Sequence, residues 1–191
     1  MAVLVEAISV IVRRDAVDSR FPGGWRRFVD AIPNATLCSD EHLARVGFMA
    51  PSDVEAFVRD LEKNGLTFVR DGRTVDIAVV DQMRGPTIPT EWIEYARLTL
   101  GSSGNRVAAC WFYDRKKVAA GVHMPGPSMS LATPDEWRYE DSLSANFKFV
   151  DNDEFDEKLE FLRSDDGVDV FRDRETGREF FVGNSETRKL D

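Results

Sequence analysis

Thr74-Val-Asp-Ile-Ala-Val-Val-Asp-Gln-Met-Arg-Gly-Pro-Thr87 is the stretch on which the fold turns. It begins as the most hydrophobic strand candidate in the chain. Val75–Val80 carries branched residues at both parities, the pattern of a buried strand. Asp81 emerges at its end, followed by Gln82, Arg84 and Thr87, with Gly85-Pro86 forcing a tight bend. Loop residues fixed by a rigid strand are a usual place for binding groups. Asp81 can accept hydrogen bonds, Arg84 can clamp a carboxylate or phosphate, and Trp92 can wall a pocket. The bland alternative is that Asp81 caps its own loop, Arg84 pairs with it and the prolines steer the chain.

Upstream, residues 3–13 are apolar at nearly every position and read as a central strand covered on both faces. Trp25, Phe28, Val29 and Ile32 fall at helical spacing, ahead of Pro33. Short strands follow at 34–38 and 43–49, separated by the polar turn Ser39-Asp-Glu-His42. The next helix has an S-x-x-E capping box at Ser52 and Glu55, an apolar face at Val54, Phe57, Val58 and Leu61, and a stop at Asn64-Gly65. Leu66–Val69 and Thr74–Val80 then flank Asp71-Gly72, a hairpin turn dipeptide. The order is strand, helix, strand, strand, helix, strand. That βαββαβ order predicts an α+β fold with a ferredoxin-like antiparallel sheet in the N-terminal half.

Downstream, Pro89 to Ala96 reads as a short helix, and Gly101-Ser-Ser-Gly-Asn105 as a loop. Arg106–Tyr113 and Lys117–His123 read as a hairpin, 133–136 as a brief helix and 142–150 as a half-exposed strand. Acids at 151–157 suit the first turn of a helix running through Phe155, Leu159 and Leu162. A calcium loop there would need a glycine at its sixth position and an acid at its twelfth, which is Leu162. The chain closes with a hairpin over 167–183 around Glu175-Thr-Gly177. This strand-rich C-terminal half either extends the first sheet or covers its open face. One α+β domain over 1–191 is expected, with 1–100 and 106–183 as the halves of any subdivision.

An apolar share of 42% with thirteen Phe supports a packed core and excludes disorder. The formal charge is −9, and residues 151–191 hold fourteen acids against seven bases. That balance argues against nucleic acid or an anionic membrane as partner and favours a basic partner or plain solubility. Two cysteines are too few for a disulfide framework, and the apolar N-terminus lacks the basic start of a signal peptide. A cytoplasmic protein is expected.

Cys38 and His42 bring a thiol and an imidazole within one turn, the ingredients of a nucleophile–base pair. His123, at a strand end before Pro125-Gly-Pro127, has the chemistry of an acid, base or ligand. Two His in the whole chain make an imidazole metal site improbable, and no cofactor or metal is expected. Phe21-Pro-Gly-Gly-Trp25 precedes a helix but matches neither phosphate-loop pattern.

Two functions fit. The first is a non-catalytic soluble binding protein that engages a protein partner, basic and of inhibitor or immunity type, or a small ligand. The alternative is a small enzyme with its site at the 81–87 loop near Cys38 and His42 or His123. A homo-oligomer built through exposed sheet edges is a third reading.

Overall fold

A computed structural model describes residues 2–100, 105–112, 131–146, 159–165, 168–177 and 179–183. The long apolar run at the N-terminus is not one strand. It forms β1 (Ala2–Val5) and β2 (Ile8–Arg13), broken at Glu6-Ala7. Ala7 takes φ +48°, the left-handed region that costs a non-glycine residue about 1–2 kcal/mol. The break moves the chain from one sheet into another. β2 becomes central in a five-stranded antiparallel sheet, and β1 enters a four-stranded one.

After β2 come two helices, α1 (Arg14–Arg20) and α2 (Gly24–Asp30). Then follow β3 (Cys38–Ser39), β4 (Leu43–Phe48) and α3 (Pro51–Lys63). A small hairpin, β5 (Val69–Arg70) and β6 (Arg73–Thr74), leads to β7 (Ile77–Asp81) and β8 (Gly85–Pro86). The first sheet has the order β3-β4-β2-β7-β8. From β2 the elements run β-α-α-β-β-α, which corrects the expected βαββαβ order. The mixed α+β class holds, whereas the ferredoxin-like topology is not what the N-terminal half shows. An extra helix arises because Ala16 and Val17 are buried on a turn that Arg13-Arg14-Asp15 disguised as a strand ending.

The rest is mainly strand. β9 (Ile93–Leu100) and β10 (Asn105–Phe112) form a hairpin, and β11 (Leu131–Ala132) lies parallel to β1. The second sheet has the order β11-β1-β10-β9. Helix α4 (Leu143–Asn146) follows a short 3-10 turn. β12 (Leu159–Asp165), β13 (Val168–Asp173) and β14 (Glu179–Gly183) make a separate antiparallel sheet.

Several expectations are corrected here. Residues 93–96 lie in a strand rather than a helix, because β9 pairs along its length with β10. Residues 133–136 form a turn, with the Trp137 amide bonded to the Pro134 carbonyl. Residues 143–146 are helical because the Ser142 hydroxyl accepts from the Ala145 amide, a cap the alternating apolar pattern hid. Leu159 and Leu162 belong to β12, not to a helix. The second arm of the 106–123 hairpin, His123, residues 147–150 and the acidic stretch 151–157 lie outside the described residues.

Two apolar layers cover the five-stranded sheet. On one face Val10, Val12, Val46 and Val79 meet Phe28, Phe57 and Leu61 of the helices. On the other, Ile11, Leu43, Ala78 and Val80 meet Val3, Leu4 and Trp92. Strand periodicity explains the division, since successive residues point to opposite faces. Both faces of β2 and β7 are therefore buried, as their uninterrupted apolar runs require.

The helix signals resolve unevenly. Val54, Phe57, Val58 and Leu61 are all buried. Ala50 stands at the N-cap with Pro51 in the first turn, so the Ser52–Glu55 capping box does not form. Glu55 instead accepts from Arg59 at 3.3 Å, one turn along. The C-terminal stop is a Schellman arrangement: the Gly65 amide bonds to the Glu62 carbonyl and the Leu66 amide to the Leu61 carbonyl. Asp71 and Gly72 both take positive φ, 52° and 74°, as a two-residue hairpin turn demands. Buried Asp76 pairs with Arg20 and accepts from the Thr67 amide at 2.8 Å, tying α1 to the approach to β7.

Candidate functional site

Among the described residues, Glu6, Ser9, Arg45, Gln82 and Ser144 converge where the two sheets join, at the Glu6-Ala7 break. Gln82, immediately after β7, is only 1% exposed. Its side-chain oxygen accepts from the Ala7 backbone amide at 2.9 Å, and its backbone N–H donates to the Ala7 carbonyl at 2.8 Å. The two bonds stand in for the ladder that Ala7 leaves, and they stabilise its left-handed backbone. Tyr95 donates its hydroxyl to the Gln82 carbonyl. The Gln82 amide nitrogen reaches the Ser144 hydroxyl at 3.2 Å.

Glu6 binds the same segment from the other side. Its carboxylate accepts from the Ser144 amide at 2.9 Å, the Ser144 hydroxyl at 2.8 Å and the Trp137 indole at 3.2 Å. Below it lies Arg45, 2% exposed on the inter-sheet face of β4. Its guanidinium donates to the Ser9 hydroxyl at 2.9 Å, the Glu6 carbonyl at 3.0 Å and the Thr36 carbonyl at 3.3 Å. Gly47 leaves the room: a Cβ there would stand 2.5 Å from an Arg45 nitrogen. Only a residue without a side chain lets a buried guanidinium lie across the strand at that point.

The residues singled out in the sequence divide sharply. Asp81 is 2% exposed, and its carboxylate accepts from the Met83 amide at 2.8 Å and the Arg84 amide at 2.9 Å. It caps its own loop, as Asx side chains do. Arg84 is exposed, and among the described residues no ion pair joins it to Asp81. Thr87 closes the β7–β8 bend through amide and hydroxyl bonds to the Val79 carbonyl, at 2.9 and 3.1 Å. Trp92 belongs to the apolar layer between the sheets. Of this group Gln82 alone enters the junction network. Sequence reading missed Glu6, Ser9, Arg45 and Ser144 as its partners. The usable signals were Glu6 within an apolar run and Arg45 at an inward position of β4.

Cys38 and His42 face different surroundings. Cys38 is 4% exposed among apolar residues opposite Arg45, and burial pushes its thiol above the ordinary range, against the pull of Arg45. His42 is half exposed, with its imidazole 3.2 Å from Glu41. Burial of Cys38 thus favours the protonated thiol, the less nucleophilic form. Among the described residues, no cluster of three His, Cys, Asp or Glu side chains could hold a metal ion, and no helix is long and apolar enough to cross a membrane.

A different surface stands out on the separate sheet. Phe161 is 55% exposed and packs edge-on against Phe171 across the β12–β13 ladder, with ring centres 5.5 Å apart. Exposed Glu160, Glu175 and Glu179 lie on the same small sheet and its turn beside exposed Arg163, Arg172 and Arg174, and Glu179 pairs with Arg163 at 3.6 Å. Comparison with known protein families, with curated proteins and with solved structures gives no match for this chain.

Proposed function

We propose that this protein is a non-catalytic binding protein, working in the cytoplasm, whose partner is a basic protein held on the β12–β13–β14 sheet. The observation that carries the reading is Phe161, a large aromatic left 55% exposed beside Phe171 in the acidic third of the chain. Exposed aromatics are the anchors that dominate protein interfaces, and the acidic balance of residues 151–191, fourteen acids against seven bases, favours a basic partner. An inhibitor- or immunity-type role is the concrete form of this function.

A small enzyme centred on the 81–87 loop has less support. Its reading needs a free acid or base beside a reactive group, and Asp81 is engaged with its own loop while Cys38 is buried. The test is affinity capture from the native host with the full chain, run beside Phe161→Ala and the pair Glu160→Lys with Glu175→Lys. A basic protein retained by the wild type and lost from both variants supports the reading. A partner held equally by all three chains overturns it.

A further inference from the structure

Asn64-Gly65, which stops α3, carries chemistry as well as geometry. In an Asn-Gly pair the glycine nitrogen can attack the asparagine side-chain carbonyl carbon, because no Cβ shields it. The nitrogen's proton leaves with the departing side-chain amide as ammonia, and a succinimide ring forms. Water then opens the ring on either side, giving aspartate or isoaspartate. The step needs only water and the two residues themselves.

The native cap opposes each requirement of that step. The Gly65 N–H is donated to the Glu62 carbonyl at 3.0 Å, so the nitrogen is not free to attack. The Asn64 Nδ2 donates to the Asp60 carbonyl at 2.7 Å, which ties the side chain back along the helix. Ring closure also needs Cβ and the next nitrogen eclipsed about the Cα–C bond, and Asn64, with ψ 18°, holds them far apart. Leu66, 3% exposed, anchors the arrangement from beyond, with its amide on the Leu61 carbonyl at 3.2 Å. Asn64 is half-buried and Gly65 exposed, so water has access to the pair.

We propose that Asn64 is a modification site closed by the α3 cap, converted to aspartate or isoaspartate when the last turn of α3 opens. Helix ends open locally before the core does. The product reinforces the opening. A carboxylate at position 64 cannot donate to the Asp60 carbonyl, and it sets a negative charge at the negative end of the helix dipole. Gly65 also lies against α1, where an added Cβ would stand 3.2 Å from the Arg20 carbonyl, which leaves little slack for the lengthened main chain of isoaspartate. Since Phe57 and Leu61 of α3 cover the five-stranded sheet, the conversion loosens one end of that cover. The site is independent of the Phe161 surface, so either can fail alone.

Peptide mapping by mass spectrometry on the full chain, incubated in mildly alkaline buffer, tests the closure. Conversion at Asn64 should be at least about tenfold slower in native buffer than in guanidinium, because the folded chain reacts from its open fraction alone. Leu66→Ala keeps the Asn-Gly pair but loosens its anchor. It should convert about tenfold faster than the wild type in native buffer and at the wild-type rate in guanidinium. Asn64→Asp stands for the aspartate product. Hydrogen exchange across 61–66 should rise about tenfold in that variant, the equivalent of one lost bond, with β2 and β4 still protected. Equal conversion of the wild type in native buffer and in guanidinium, an unchanged native rate in folded Leu66→Ala, or wild-type exchange in Asn64→Asp overturns the proposal. If Leu66→Ala does not fold, the other two comparisons decide.

Discussion

Gly47 and Arg45 give the sharpest test of the junction, because each explains the other. Adding a methyl group at Gly47 places a Cβ 2.5 Å from an Arg45 nitrogen and 2.9 Å from its central carbon. The guanidinium cannot yield easily, since it is bonded to Ser9, Glu6 and Thr36. Overpacking of this kind costs about 1–3 kcal/mol. Arg45→Met removes the obstacle and also removes a donor from the Thr36 and Glu6 carbonyls. The Glu6 carbonyl keeps the Ser9 hydroxyl at 3.0 Å, so Thr36 suffers more. At about 1–3 kcal/mol for a buried group left short of a partner, Arg45→Met should cost about 2–4 kcal/mol in all. For a chain of this size that lowers Tm by roughly 4–16 °C. Urea denaturation of the two single variants and the double variant measures the coupling. Gly47→Ala should be nearly neutral when Met replaces Arg45, giving a coupling of about 1–3 kcal/mol. Equal costs for Gly47→Ala in both backgrounds would refute the geometry.

Two further outcomes follow from single sites. Gly65 has φ +91°, and an added Cβ would lie 3.2 Å from the Arg20 carbonyl, so Gly65→Ala should lower stability by about 1–2 kcal/mol in denaturant melts. In a Cys110→Ser background, native Cys38 should react with iodoacetamide at least tenfold more slowly than the unfolded chain does, because burial raises its pKa and shields the thiol. The folded thiol keeps its proton to higher pH than the unfolded one. Its contribution to stability is therefore complete below the unfolded pKa and is lost as pH rises through the folded one.

Local chemistry was legible where it acts alone. The α3 face, the Gly65 stop and the Asp71-Gly72 turn follow from spacing and backbone preference, and the structure bears out each. The buried strand β7 likewise follows from its run of branched residues. Features set by distant partners were not legible. Nothing around Ala7 announces a left-handed break, because the groups that stabilise it come from Gln82, seventy-five residues away. Glu6 finds Ser144 across one hundred and thirty-eight residues, so its role is invisible to any local window. Pro51 overrode the S-x-x-E pattern by taking the first turn, and α4 arose from a Ser142 cap inside an alternating sequence. Within the 74–87 stretch, Gln82 is a joint between sheets and Asp81 a cap on its own loop.

We propose that the junction serves the fold while the Phe161 surface serves the partner. Gln82→Ala and Phe161→Ala, measured side by side for unfolding free energy and for affinity toward the captured basic partner, test it most directly. Gln82→Ala should lose about 2–4 kcal/mol of stability, from buried groups left without partners, and keep wild-type affinity in its folded fraction. Phe161→Ala should stay within about 0.5 kcal/mol of wild-type stability, as an exposed site, and bind at least thirtyfold more weakly, the loss of an interface anchor worth about 2 kcal/mol or more. The opposite pattern, with binding lost at Gln82 and retained at Phe161, would contradict the account.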